Sequence, residues 1–178
     1  MKKILPFFCL LLFGASIVQV ITQGSETSAS FQTKKIEHKT FISTKLKSLK
    51  IETVAGEKIN FDSETPIILN FWASWCRPCI SEFKSLNKLI GEYGEKIKVI
   101  GINNDEENPL KTIKKIENEY GLKFSSMADP KSSVASELNI QNIPSTIVIH
   151  KGKARFVHEG EFDFTSKSFK KTIDQFIK

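Results

Sequence analysis

Two apolar runs constrain this chain more than any other feature: "IILNFWA" over 67–73 and "IKVIGIN" over 97–103. Neither alternates polar with apolar residues, so each reads as a strand buried on both faces. Such a sheet needs helices above and below it, and the intervening sequence supplies them. After the first run, Phe83, Leu86, Ile90 and Tyr93 recur at helical spacing, and Gly91 and Gly94 supply the stop. After the second, "NPLKTIKKIENEYG" places Pro109 in a first turn and Leu110, Ile113, Ile116 and Tyr120 on one face. "LKFSSMAD" predicts a short strand, "KSSVASELNI" a short helix, and "STIVIHKGKARFVHEG" a hairpin turning at Lys151-Gly152. "TSKSFKKTIDQFIK" closes the chain as an amphipathic helix with Phe169, Ile173, Phe176 and Ile177 inward. Upstream, "LKIETVAGEKINF" (49–61) alternates on either side of Ala55-Gly56 and predicts a β-hairpin. Strands that alternate with helices and end in a hairpin predict an α/β sandwich around one mixed sheet.

The N-terminus obeys different rules. Lys2 and Lys3 precede a nearly unbroken apolar stretch from Ile4 to Ile21. This is the pattern of an export signal, with small residues at Gly14-Ala15-Ser16 for cleavage, or of a single-pass anchor at the short end of what spans a bilayer. Both readings place the rest of the chain outside the cytoplasm. The expected division is 1–24 as signal or anchor, 25–42 as a polar tether and 43–178 as the folded domain. Residues 22–48 are polar, rich in Ser, Thr and Lys, and show no clear period. Cys9 lies in the apolar stretch and reads as an inert apolar residue. The net charge is +6, but the lysines are spread along the chain and interleaved with Asp and Glu, so nucleic-acid binding is not expected.

The exported part then holds one pair of cysteines, in "FWASWCRPCI". Cys76 falls where the first buried strand gives way to a helix. There the unsatisfied N–H groups and the helix dipole favour a thiolate. Arg77 adds a nearby cation, and Pro78 fits a first helical turn, where its missing N–H costs nothing. Cys79 is one turn on, so one cysteine can attack and the other resolve. A structural disulfide across so short a loop would staple little. A structural zinc site takes four ligands, and the only histidines are His38, His150 and His158, with no second cysteine pair. No metal site is nominated, although two thiolates could carry a soft ion such as Cu(I).

"FWASWCRPC" followed by "IQNIPSTIVIHKGK" resembles the thioredoxin superfamily, over roughly residues 49–178. The resemblance implies a three-layer α/β/α sandwich with a central mixed sheet. It also implies that Pro144, after Ile143, is a cis-proline facing the cysteines, whose neighbouring backbone pairs with an extended substrate. The export segment, the leading hairpin, Asn70 before Phe71-Trp72 and an insert between the cysteine helix and Pro144 are similar to the TlpA/ResA-like group of membrane-tethered thiol:disulfide oxidoreductases. Thioredoxins place an aspartate beneath the cysteines; here that position is Asn70, which cannot carry a proton. Glu82, three residues past Cys79, takes a place that the resemblance associates with the active site, and proton handling is its expected role; an exposed helical glutamate is the alternative. Trp75 is expected over the pair as a substrate contact, and Trp72 in the core.

The expected function is thiol–disulfide exchange. Cys76 attacks a client disulfide and Cys79 resolves the mixed disulfide, with no cofactor. The resemblance implies reduction, as in cytochrome c or copper-site maturation on the periplasmic side of the cytoplasmic membrane. The partners would then be disulfide-bearing clients and a membrane thiol reductant. A DsbA-like oxidant and a Cu(I) metallochaperone are the alternatives.

Overall fold

The structure is a computed structural model and describes residue 28 and residues 30–177. The segment expected as signal or anchor, with Cys9, lies outside the described residues. Residues 30–38 are helical and belong to a separate unit; residues 39–177 lie in one packed unit. Among the described residues no helix is long and apolar enough to cross a membrane.

The packed unit is built on a five-stranded sheet of β1 (Ile67–Trp72), β2 (Lys98–Asn103), β3 (Ser125–Ala128), β4 (Ser145–His150) and β5 (Lys153–Glu159). The spatial order is β3-β2-β1-β4-β5. β1 runs parallel to β2, and β2 to β3, while β4 is antiparallel to both β1 and β5. The helices are α1 (Arg77–Tyr93), α2 (Pro109–Glu119), α3 (Ser133–Glu137) and α4 (Lys167–Asp174). The sheet is mixed because β1 to β3 are joined through helices, whereas β4 and β5 meet at a tight turn. Lys151 and Gly152 form that turn with φ of 53° and 67°, the twist that two-residue hairpin loops demand.

All six residues of β1 are buried, and the pleat sends them alternately to two cores. Ile67, Leu69 and Phe71 pack with Ile100, Ile102, Ile147, Ile149 and α3. Ile68 and Trp72 pack with Val99, Val148 and the inner faces of α1, α2 and α4. The continuous apolar run is thus two interleaved stripes, and the sandwich has three layers.

Three expectations need correction. The predicted hairpin over 49–61 is reduced to a turn at Gly56 closed by one bridge, Glu52 to Lys58. Its first limb is drawn instead to β3, where the Val54 N–H donates to the Ser126 carbonyl at 2.8 Å. Within the stretch expected to lack a period, residues 30–45 are helical, and Ile42 and Leu46 are buried with Leu49 in the first core. On α2, Ile113 and Ile116 are buried, but Leu110 and Tyr120 at its two ends are exposed.

Candidate active site

β1, the central strand, ends at Trp72, and a turn passes the chain into α1. The Cys76 N–H donates to the Ala73 carbonyl at 3.1 Å, which closes the turn. Cys76 is then the N-cap of α1, with extended backbone, and its sulfur accepts from the Cys79 N–H at 3.3 Å. Pro78 sits in the first turn, where no N–H is needed. Cys76 and Cys79 are joined as a disulfide with their Cα atoms 5.3 Å apart. Cys79 is fully buried and Cys76 nearly so, whereas Trp75 beside them is 70% exposed. Arg77 and Pro78 are exposed at the start of a helix of 17 residues. When the disulfide opens, a Cys76 thiolate has the Cys79 N–H as donor and the positive end of that helix behind it.

Glu82 shares the buried face of α1 with Cys79. It is 2% exposed and forms no ion pair among the described residues. The Phe162 N–H donates to its Oε1 at 2.6 Å, and Asn70 Nδ2 donates to its Oε2 at 3.3 Å. Asn70 comes from the α1-facing side of β1, and its amide also donates to Thr146 Oγ1 at 3.4 Å. Burial pushes the Glu82 carboxyl up to about 7, against the hydrogen bonds from Asn70 and Phe162, and the charge on Glu161 adds to the rise. A buried carboxyl of this kind exchanges a proton near neutral pH.

The other wall comes from the segment before β4. The Ile143–Pro144 peptide is cis. Phe71 pairs with Ser145, so Pro144 stands in register beside the end of β1, from which the cysteine turn departs. Pro144 is buried and its carbonyl accepts from the Gly160 N–H at 2.8 Å. Ile143 is half-buried and packs against the core that contains both cysteines. Among the described residues, no hydrogen bond uses the Ile143 N–H or carbonyl.

The fold thus gathers Cys76, Cys79, Glu82, Trp75, Ile143 and Pro144 around the C-terminal end of the central strand β1. Trp72 is fully buried, with its ring edge-on to Phe83 at 5.4 Å. His150 and His158 lie against Phe176 and Phe162 at 5.1 and 4.7 Å between ring centroids. Among the described residues no group of three or more His, Cys, Asp or Glu is placed to hold a metal ion. Sequence reasoning missed Thr146, Phe162 and Asp105, which contact the site through a side-chain oxygen, a backbone N–H and a carboxylate. Thr146 was open to inference, because it lies in the strand just after Pro144; the other two come from loops with no period to read.

Residues 37–157 match the AhpC/TSA family. The chain is 30% identical over 128 residues to the thioredoxin-like protein YneN of Bacillus subtilis, covering 70% of this chain and 74% of that protein. It is 33% identical over 114 residues to the thiol-disulfide oxidoreductase ResA of Halalkalibacterium halodurans, covering 62% of this chain and 64% of that one. It spans about half the length of other ResA proteins it matches. Among solved structures, StoA from Bacillus subtilis superposes with a TM-score of 0.56 at 24% identity, over 65% of this chain and 89% of that chain.

Proposed function

The chain belongs to the AhpC/TSA family and is a thiol:disulfide oxidoreductase, and from that footing we propose that it reduces disulfides of exported client proteins outside the cytoplasm. The observation that carries the exchange chemistry is the buried Glu82 on the face of α1 that holds Cys79. It is a proton acceptor for the cysteine that must lose its proton second.

The Cys76 thiolate attacks one sulfur of the client disulfide. A Cys76–client bond forms, and the client's other sulfur leaves as a thiolate. Cys79 then gives its proton to Glu82 and attacks the Cys76 sulfur. The client takes one proton back from Glu82 and a second from solvent and leaves as a dithiol, and Cys76–Cys79 is left oxidised. Two electrons thus pass from the cysteine pair to the client, and a thiol donor at the membrane restores the pair. Trp75 offers the exposed aromatic surface on which the client docks. The backbone of Ile143, unpaired within the described fold, offers a donor and an acceptor to an extended segment, as in strand addition. Arg77 and the N-terminus of α1 favour the attacking thiolate.

The N-terminal Lys2, Lys3 and apolar run support a location on the outer side of the cytoplasmic membrane. Resemblance to ResA-type proteins supports clients in cytochrome c or copper-site maturation. Trapping tests the exchange step. Cys79→Ser should accumulate covalent complexes with disulfide-bearing exported proteins, and Cys76→Ser should accumulate none. A Cys79→Ser variant that traps nothing, alongside a reduced wild type that binds Cu(I), would favour the metal-carrier reading.

A further inference from the structure

Asp105, in the loop after β2, is 5% exposed and spends most of its carboxylate on one residue of the cysteine turn. Its Oδ1 accepts from the Ser74 hydroxyl at 2.8 Å and from the Ser74 N–H at 3.2 Å, and its Oδ2 accepts from the same N–H at 3.0 Å. Oδ2 also accepts from Asn103 Nδ2 at 2.7 Å, and the Asp105 N–H donates to Asn103 Oδ1 at 3.3 Å. Asn103 is fully buried at the end of β2, opposite Trp72 in register, and the next N–H, from Asn104, donates to the Trp72 carbonyl at 2.9 Å. The carboxylate is therefore anchored to the sheet, and it grips the turn two residues before Cys76.

We propose that Asp105 is a positioning residue for the redox pair: by holding Ser74 through both its backbone and its hydroxyl, it keeps the turn from Ala73 to Cys76 in the attacking geometry once the disulfide is open. While Cys76 and Cys79 are bonded, the covalent ring fixes the Cys76 sulfur by itself. Reduction removes that link. Trp75, Arg77 and Pro78 are all exposed and give the reduced segment little packing. The turn is then held at its Cys76 end by the Cys76 N–H to Ala73 bond and by the Ile80 N–H to Cys76 carbonyl bond at 3.1 Å, and upstream, at Ser74, by the Asp105 grip. A buried carboxylate with no cation on it is costly to keep. Its two oxygens meet only donors, the Ser74 N–H, the Ser74 hydroxyl and the Asn103 amide, so an asparagine in its place would turn an NH2 group toward one of them.

This role rests on Cys76 being the attacking thiolate. The test uses the full-length protein, wild type and the variants Asp105→Asn and Ser74→Ala. The rate of Cys76 alkylation by iodoacetamide is followed against pH after reduction, together with the melting temperature of the oxidised form. Both variants should move the alkylation midpoint to higher pH. The rate at pH 7 should fall about tenfold in Asp105→Asn and about threefold in Ser74→Ala, because a sulfur that drifts from the Cys79 N–H loses thiolate character. Deleting a negative charge would by itself move the midpoint down, so an upward shift reports geometry. An unchanged or lowered midpoint in either folded variant overturns the proposal. If Asp105→Asn does not fold, Ser74→Ala decides alone, since it leaves the carboxylate in place. A wild-type Cys76 that alkylates no faster than a free thiol would refute the nucleophile reading, and the proposal with it. A normal wild type with unaltered variants would refute the proposal alone.

Discussion

The amide of Asn70, on the central strand, donates to the carboxyl of Glu82 on the cysteine helix at 3.3 Å, with both side chains shut away from solvent. The buried titrating carboxyl thus sits on the helix that carries the cysteines, and the central strand meets it with an amide. Its consequence for stability has a definite sign. An unfolded glutamate titrates near 4.5, and Glu82 in the fold near 7. Between those values the folded protein keeps a proton that the unfolded chain has released, so Glu82 costs stability as pH rises through that window and its effect is constant outside it. The stability difference between Glu82→Gln and wild type should therefore grow in favour of the variant from pH 4.5 to pH 7, by up to about 3 kcal/mol. Urea unfolding of both oxidised proteins across that range checks it; a difference that does not vary with pH would contradict the assignment.

The same residue should separate the two chemical steps. Glu82→Gln cannot accept the Cys79 proton, so resolution of the mixed disulfide at pH 7 should slow about tenfold to a hundredfold. The first attack, by Cys76, should change less. Rapid quench with mass spectrometry would show the mixed disulfide building up in the variant.

Trp75 is 70% exposed and buries little on folding. Trp75→Ala should change stability by less than about 0.5 kcal/mol. It should raise KM for a protein disulfide about threefold to tenfold, with kcat for a small disulfide such as oxidised glutathione unchanged. Steady-state kinetics with both substrates separates docking from chemistry.

Gly101 leaves no room for a side chain. A Cβ there would collide with Ser126 Oγ and lie 2.7 Å from Trp72 Nε1. Trp72 is held by Phe83, so the strain cannot be relieved by moving the ring. Gly101→Ala should destabilise by about 1–3 kcal/mol, and adding Ser126→Ala should recover part of that loss. Thermal unfolding of the single and double variants measures both.

The strands, the helix order and the cysteine pair were legible because each obeys a local rule. An apolar run such as 67–73 has few alternatives once helices flank it, and Cys76 beside Pro78 marks a helix start. Pro144 was legible only by resemblance, since no local rule singles it out. The hairpin over 49–61 has the right alternation, but the Val54 N–H found a better partner in β3, which local sequence cannot reveal. Ile42, Leu46 and Leu49 do form an apolar stripe at helical spacing, masked by the surrounding Lys, Ser and Thr. Leu110 and Tyr120 keep helical phase with Ile113 and Ile116 but lie at or just past the ends of α2, where the second core no longer reaches. Asp105 was invisible for a different reason: its grip on Ser74 joins residues far apart in the chain through a loop without pattern.

Whether Cys76 and Cys79 form a reducing couple is tested most directly by the reduction potential of the full-length protein, equilibrated in defined thiol/disulfide buffers with the free thiols then trapped. A potential near that of thioredoxin, roughly −270 mV, is the predicted result. One near that of DsbA, roughly −120 mV, would make the protein an oxidant and contradict the proposed direction.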